Sequence, residues 1–533
     1  MQIWRRAFTT SVARLQTKPR TVPGAALPQG AQIRSKPPPV NPEILGKDIT
    51  LQGSVRSVRK HKRFAFAELS NGSSIHTIQA LLTPAQAADL STGAVVAING
   101  TVRECPPGKE QSFELHAKDV NVLGKSDPET YPIQKKYHSP EFLRQIPHLR
   151  FRTPFNSALA RFRSECLYQL GQVLREGPRE MPPFMQVHPP IITSSDCEGA
   201  GETFTITPRE AQAKGEHFFR SPKYLSVSSQ LHLEAYAAEL GQVWTVTPTF
   251  RAEKSDTPRH LSEFYMLEAE ASYLYNLDQL TNLVEHIIRN LVSRLGNGPG
   301  VEIMLLKRLD ESGQDTTDAT TSMIRNRWDK IMAPTLWPRM TYTHAIEELQ
   351  AAVERGEVTF EHAPTWAGGL QVEHERFIVD VIHDGKPVFV TDYPKAVKPF
   401  YMAPSGPSTW NKDPVKQGDT VACFDLLFPD VSEVAGGSLR EHRLPELIQN
   451  MREHGMVRRR SPEEGVPNEA TYPCLEPGED LGPLQWYADL RRWGSAPHGG
   501  FGLGFDRFVG YLAGVSNVRD VVGFPRYFGR ADC

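Results

Sequence analysis

Residues 250–270 read FRAEKSDTPRHLSEFYMLEAE, and the placing of their charges decides how the chain folds. A half-apolar run, VWTVTPTF at 243–250, leads into Arg251 and Glu253. A polar stretch with Pro258 follows, and the chain returns through an alternating run that carries Glu268 and Glu270. Successive side chains on a strand point to opposite faces. The pattern therefore predicts a hairpin in which Arg251 and Glu253 share one face and Phe264, Met266, Glu268 and Glu270 share another. One wet face of an antiparallel sheet would account for some of these ions. Ions on both strands point further, to a working surface.

Composition sets the frame for that surface. A chain of 533 residues, 39% hydrophobic and 23% charged, is expected to form two or more globular domains. No apolar run reaches the roughly eighteen residues of a membrane-spanning helix, so no membrane partner is expected. The net charge of −2 gives no overall attraction for nucleic acid, and such a partner would need a local basic patch. The six cysteines are scattered without a CxxC pair, which predicts reduced thiols and no structural metal. The first 42 residues differ in kind: they hold seven Lys or Arg and no acid before Glu43. That is the composition of a mitochondrial transit peptide, with the matrix as its destination; a disordered basic tail is the alternative.

From Lys47 to about Leu123 the chain breaks into five short alternating runs, ITLQGSVRSV, FAFAELSNGSSI, HTIQALL, AVVAINGTV and SFELHAKDVNVL, punctuated by Gly, Asn-Gly and Pro-Pro-Gly. With PAQAADL as a short helix, a five-stranded OB-fold barrel over 43–124 is the economical reading. Residues 125–155 read as a linker. NSALARFRSECLYQLGQVLREG then spaces Leu159, Phe162, Cys166, Leu170 and Val173 by three and four, an amphipathic helix that opens a second domain over 156–533. Strand-like runs at 242–273, 375–392, 420–434 and 498–504 predict an α+β domain with a mixed, mainly antiparallel sheet flanked by helices. The stretch 296–340 reads as a surface excursion.

The barrel and the hairpin together resemble a class II aminoacyl-tRNA synthetase. FMQVHPPIITSSD resembles the family's motif 1, which ends at a proline, here Pro190, and forms a homodimer interface. FRAE…RHLSEF resembles motif 2, and PHGGFGLGFDRFVGYLAG resembles motif 3, delivering Asp506 and Arg507 at the start of a helix. Three motifs in order behind an OB-like domain are specific where each alone is not. The resemblance implies ATP bent on an antiparallel sheet. Arg251 would hold the α-phosphate, Glu253 and His260 would lie near the nucleotide, Phe264 would stack on adenine, and Arg507 would hold the γ-phosphate. Guanidinium groups grip phosphate oxygens bidentately, and an aromatic face suits a purine. Asp425 and Glu433 in FDLLFPDVSE match carboxylates that position Mg²⁺, which prefers hard oxygen ligands.

The N-terminal OB domain resembles the aspartate, asparagine and lysine branch. EVAGGSLR supplies Arg440, similar to the arginine that holds the substrate's side-chain oxygen in aspartate and asparagine enzymes. In SSQLHL, Gln230 matches a substrate-binding glutamine, and Leu233 stands where aspartate enzymes carry lysine. Glu268 stands where aspartate enzymes have aspartate and asparagine enzymes glutamate. Arg440 would donate to the amide oxygen of L-asparagine, and Glu268 would accept from its NH₂. A substrate aspartate would set two carboxylates against each other. DCEGAGE is similar to the asparagine enzymes, with Glu198 facing the α-amino group. The family implied is asparaginyl-tRNA synthetase in a mitochondrial form, acting on ATP, L-asparagine and tRNA(Asn). VTDYPK departs from it, with Asp392 where Asn is usual.

On the barrel, SVRSVRKHKRFAFAEL sets Arg56, Arg59, Lys60, Lys62 and Arg63 beside Phe64 and Phe66. Cations that track phosphates beside rings that stack on bases suit single-stranded nucleic acid. By the resemblance, Phe66 would stack on an anticodon base and Gln79 would read a base edge. Three other readings compete: an aspartyl-tRNA synthetase of relaxed specificity, a free asparagine synthetase on the same catalytic fold, and a non-catalytic RNA-binding paralog. Leu233 and Glu268 argue against the first, the barrel against the second, and the retained Arg251 and Arg507 against the third.

Overall fold

The computed structural model describes residues 44–106, 111–194, 203–208, 216–297, 320–406, 420–460, 467 and 469–533. The described chain divides into two compact units, one holding the barrel and running to Glu165, the other built from Cys166–Asn297 and Ser322–Asp532. The leader expected at 1–42, and Glu198, lie outside the described residues.

In the first unit β1 (Asp48–Lys60), β2 (Ala65–Ser70), β3 (Ile78–Leu82), β4 (Val95–Glu104) and β5 (Phe113–Gly124) close into a barrel in the order β1-β2-β3-β5-β4. Alternation places the side chains: Ala65, Ala67 and Leu69 of β2 are buried with Leu82, Val96 and Ile98, while Phe66 and Glu68 face outward. The short helix expected at PAQAADL is instead a run of turns, held by Ala87 N to Thr83 O (3.1 Å) and Leu90 N to Ala87 O (3.2 Å). So short a segment is far below the roughly 12 residues at which a helix sustains itself. The expected linker carries two short helices, α1 (Pro140–Gln145) and α2 (Pro147–Arg150), before α3 (Pro154–Glu176), which starts at a proline just ahead of the predicted helix.

The second unit is built on an eight-stranded sheet. Its strands are β6 (Met185–Gln186), β9 (Gln242–Phe250), β10 (Glu263–Ser272), β11 (Arg339–Thr341), β12 (Val388–Pro394), β13 (Thr420–Phe428), β14 (Ser432–Leu439) and β17 (His498–Gly504). They run in the order β11-β12-β13-β14-β17-β10-β9-β6. Only the outer pairs β6/β9 and β11/β12 are parallel. Two small pairs stand apart, β7 (Ile192–Thr193) with β8 (Tyr224–Leu225), and β15 (Arg458–Arg459) with β16 (Glu479–Asp480). Val390, Cys423 and Leu427 of the sheet share a core with Ala345 and Leu349 of α7 (Tyr342–Glu354) and Leu447 and Ile448 of α9 (Leu444–Glu453). Among the described residues the remaining α-helices are α4 (Gln230–Leu240), α5 (Leu277–Asn297), α6 (Thr321–Ile331), α8 (Val372–Phe377), α10 (Gln485–Arg492), α11 (Phe505–Ala513) and α12 (Val518–Val521).

Three expectations are corrected. The strand expected over 375–392 is only β12. The residues before it form α8 and a single wide turn, Ile378–Ile382, because Ile378 and Val379 are buried by a helical face although their β-branching favours strand. The excursion expected at 296–340 ends in core structure: Trp328 and Trp337 are each 2% exposed, and the Trp337 Nε1 donates to Ile331 O at 3.1 Å. Finally, β9 ends at Phe250, so Arg251 and Glu253 do not share a strand face. They open the loop 251–262, although Arg251 N still donates to Ser262 O at 3.0 Å.

Candidate active site

The sequence-assigned nucleotide residues gather where β9, β10, β14 and β17 lie side by side. The Arg251 guanidinium lies 5.7 Å from the centroid of the Phe264 ring. Glu253 and His260 face each other across the loop, 3.5 Å apart, and the Ser255 and Thr257 hydroxyls reach the other ring nitrogen of His260 at 3.0 and 2.5 Å. Burial lowers the pKa of His260; Arg507, Arg259 and Arg519 lower it further, against the pull of Glu253. Burial and the surrounding arginines therefore favour the neutral imidazole, which offers one N–H donor and one acceptor nitrogen. Arg507 enters from α11 and donates to the Glu433 carbonyl, and the adjacent Asp506 accepts from Tyr265 N at 2.7 Å, locking the strand-to-helix turn onto β10.

Asp425 of β13 and Glu433 of β14 converge over Gly436. A Cβ there would sit 3.1 Å from Glu433 Oε1 and 3.4 Å from Asp425 Oδ1, so glycine keeps open the space the two carboxylates share. Lys398 Nζ donates to both Asp425 oxygens, at 3.1 and 2.9 Å, and lies 3.9 Å from the Tyr393 ring centroid. Burial alone would lower the Lys398 pKa, but Asp425, Cys423 and Glu433 together outweigh it and hold the ammonium charged. A third acid comes from α8. Burial, then Glu433 and Asp425, push the Glu375 carboxyl up to about 7. Sequence reasoning missed both Glu375 and Lys398, because Glu375 fell within a stretch read as strand. Two hard-oxygen carboxylates over a Cβ-free floor, one of them already paired with an ammonium, fit a divalent ion.

The amino-acid residues differ from the expected arrangement. Glu268 is 3% exposed and accepts from the Ser228 hydroxyl and, at 3.0 Å, from Ser229 N just before α4. Burial raises its pKa, and these donors and Arg251 restrain the rise. Arg440 is paired with Glu270 instead of facing Glu268 alone: Nε and Nη2 donate to the Glu270 carboxylate at 3.2 and 3.0 Å, and Nη1 to Ser438 Oγ at 2.7 Å. Gly500 makes room, since a Cβ there would lie 1.9 Å from Glu270 Oε2. Behind them Glu234 accepts from Gln230 Nε2 (3.1 Å), Tyr487 Oη (2.8 Å) and Arg491 Nη2 (2.6 Å), with His498 Nε2 at 3.1 Å. Burial would raise Glu234, yet Arg491, His498 and Arg440 hold it ionised well below the usual range. Glu234, Glu270 and His498 are close enough to chelate a metal, but guanidinium groups already occupy both carboxylates. Leu233 is 1% exposed in an apolar cluster with Val187, Ala237 and Val243, so a lysine there would enter the core. Asp392 sits at a bulge of β12 with φ +59°, where it accepts from the Ser405 and Thr391 hydroxyls at 2.7 and 2.8 Å. Asn is favoured in that backbone region for conformational reasons, so the departure at 392 concerns a turn.

Family models match this architecture: tRNA synthetases class II (D, K and N) over residues 139–527, and the OB-fold nucleic acid binding domain over 49–123. The mitochondrial asparagine–tRNA ligase of Schizosaccharomyces pombe is 40% identical over 91% of this chain and 95% of its own. That of Saccharomyces cerevisiae is 38% identical over 90% and 92%. The chain belongs to the asparagine–tRNA ligases of class II. A solved structure of the asparaginyl-tRNA synthetase of Pyrococcus horikoshii, complexed with asparaginyl-adenylate, superposes with a TM-score of 0.70 at 28% identity, covering 92% of this chain and 97% of that one.

This asparagine–tRNA ligase carries a second candidate surface on its barrel. Arg59 opposes Phe66 across β1 and β2, and Gln79 opposes Glu68 across β2 and β3, so all four share the outer face. Phe66, Phe64 and His61 form an aromatic cluster, with centroids 5.2 Å apart for the two Phe rings and 5.1 Å for His61 and Phe64. The Arg59 guanidinium is 5.9 Å from the Phe66 centroid. Gln79 Nε2 donates to Glu114 Oε2 at 2.9 Å, which fixes the orientation of its amide. Lys62 and Arg63 are exposed in the β1–β2 turn, whereas Lys60 Nζ donates to Ala88 O at 2.9 Å. His61 and Glu114 were not singled out from the sequence; the ring periodicity H-x-x-F-x-F could have flagged the first.

Proposed function

We propose that the enzyme activates L-asparagine with ATP and transfers it to tRNA(Asn) in the mitochondrial matrix. The observation that carries this reading is the convergence of Arg251, Phe264, Arg507, Asp425 and Glu433 around one sheet surface, with Glu268 and Arg440 deeper along the same strands. The asparagine carboxylate attacks the α-phosphorus while the bond to pyrophosphate breaks. The 3′-terminal ribose hydroxyl of the tRNA then attacks the carbonyl carbon, and AMP leaves. Arg251 and Arg507 stabilise charge that grows on phosphate oxygens, Phe264 orients the adenine, and the neutral His260 and Glu253 border the nucleotide. Asp425 and Glu433 would hold Mg²⁺, which when bound supplies charge neutralisation on the triphosphate.

For the substrate, Arg440 has two N–H groups beyond those given to Glu270 and Ser438, enough to donate to the side-chain amide oxygen. Glu268 accepts from the NH₂, Gln230 belongs to the asparagine site, and Glu198 is the sequence's candidate partner for the α-amino group. On the barrel, Phe66 stacks on an anticodon base, Gln79 reads a base edge, and Lys60, Lys62 and Arg63 attract phosphates. A homodimer is supported by Met185, Ile191 and Ile192, which are 52%, 39% and 40% exposed around the exposed Pro190. The matrix location is supported by the basic, acid-free leader and by the mitochondrial names of the two yeast relatives. Asparagine-dependent ATP–pyrophosphate exchange, followed by charging of a tRNA(Asn) transcript, tests the reading.

A further inference from the structure

The loop 251–262 is tied to the C-terminal segment at three places. Arg519 of α12 donates through Nη2 to Asp256 Oδ1 at 2.7 Å and to the Thr257 carbonyl at 3.1 Å. Val518 N donates to Pro258 O at 3.0 Å. Ser262 N donates to Arg526 O at 2.7 Å, beside an antiparallel bridge between Glu263 and Arg526. The two ends of the Arg519 contact are unequal: the Arg519 side chain is 8% exposed, with its guanidinium 3.9 Å from the Tyr527 centroid, whereas the Asp256 side chain is 73% exposed. The cation is therefore fixed by its own segment, and the loop comes to it.

What the loop carries gives the contact its consequence. Arg251 and Glu253 lie at its start and His260 near its end, and the Thr257 hydroxyl reaches His260 Nδ1 at 2.5 Å. Anchoring Thr257 therefore also sets the imidazole. Without the Arg519 contact the loop keeps its Pro258 and Ser262 ties, and the residues between Arg251 and Thr257 gain conformations; ordering each of them at the moment of binding costs about 1–2 kcal/mol. We infer that Arg519 is a positioning residue: by gripping Asp256 and the Thr257 carbonyl, it preorganises the loop that presents Arg251, Glu253 and His260 to ATP. This rests on the assignment of that loop to the nucleotide. Arg519 touches neither ATP nor asparagine in this scheme, and its effect should fall on one substrate.

The test compares Arg519→Ala, Asp256→Ala, the double variant and Arg519→Lys in the full-length enzyme. Two measurements are made: the rate of trypsin cleavage after Lys254 and Arg259 without ligands, followed by mass spectrometry, and the KM values for ATP and for asparagine in pyrophosphate exchange. Each alanine variant should be cleaved several-fold faster and should raise KM for ATP about 10-fold, with KM for asparagine changed less than about 2-fold. The double variant should add little to either single change, because both remove one interaction. Arg519→Lys should recover part of the effect. Asp256 is exposed, so its variant remains informative if Arg519→Ala fails to fold. Wild-type cleavage and KM in Asp256→Ala, or fully additive effects in the double variant, would overturn the clamp. Faster cleavage with an unchanged KM for ATP would leave the clamp standing and overturn the assignment of the loop to ATP.

Discussion

Lys398 Nζ lies 2.9 and 3.1 Å from the two oxygens of Asp425, in a pair whose side chains are 18% and 16% exposed. The ammonium balances a carboxylate that otherwise faces Glu433 across Gly436. Breaking a fully buried pair from one side costs about 3–5 kcal/mol, and the residual exposure here places Lys398→Met at the low end. Millimolar Mg²⁺ should then return part of the lost Tm, since a divalent cation can neutralise the same oxygens, and should move the wild-type Tm less. A variant Tm that ignores Mg²⁺ would count against the metal assignment.

Arg251→Ala and Arg507→Ala should each lower asparagine-dependent pyrophosphate exchange by about 10²–10³-fold, the usual loss for a donor aimed at developing charge. Circular dichroism should be unchanged. Near-normal exchange in either soluble variant would remove that arginine from the phosphate site.

Much of this was legible in the sequence, and the failures have physical causes. Period-two alternation with Gly and Asn-Gly breaks points to a small barrel or sandwich of about five strands, with the OB-fold barrel as the economical choice. Motif 3 was legible because glycines that let β17 approach Glu270 are bare in sequence. The partners of buried ions were not: Arg440 meets Glu270, and Glu234 meets Arg491 and His498, across separations in the chain that no local pattern encodes. The end of β9 at Phe250 was invisible because Arg251 and Glu253 keep strand-like alternation after the pairing stops. Leu233 shows the limit of positional matching: its place in SSQLHL marks a substrate stretch, but its side chain lies in the core.

Asp392 supplies a pH test. Burial raises its pKa above that of the unfolded chain, so the stability it permits is full below the unfolded value and is lost as pH rises through the folded one. Asp392→Asn keeps a residue suited to φ +59° and removes the ionisation. Its Tm should exceed that of the wild type at pH 8, and the difference should shrink as pH falls toward the unfolded value of 3.8. Equal or lower Tm at pH 8 would mean that the Ser405 and Thr391 hydrogen bonds need the charge.

Phe66→Ala should weaken charging through tRNA binding while tRNA-independent exchange stays normal. Loss of one stacked base is worth roughly 1–3 kcal/mol. Equal loss in both assays would make Phe66 a structural residue of the barrel.

The central claim is selection of asparagine by Glu268 and Arg440, and the direct measurement is ATP–pyrophosphate exchange with asparagine and aspartate in parallel, for the wild type and Glu268→Gln. A site built on paired polar groups should favour asparagine in kcat/KM by roughly 10⁴-fold, and Glu268→Gln should narrow that ratio by removing the carboxylate that repels aspartate. Comparable use of both amino acids by the wild type, or a ratio that Glu268→Gln leaves unmoved, would contradict the account.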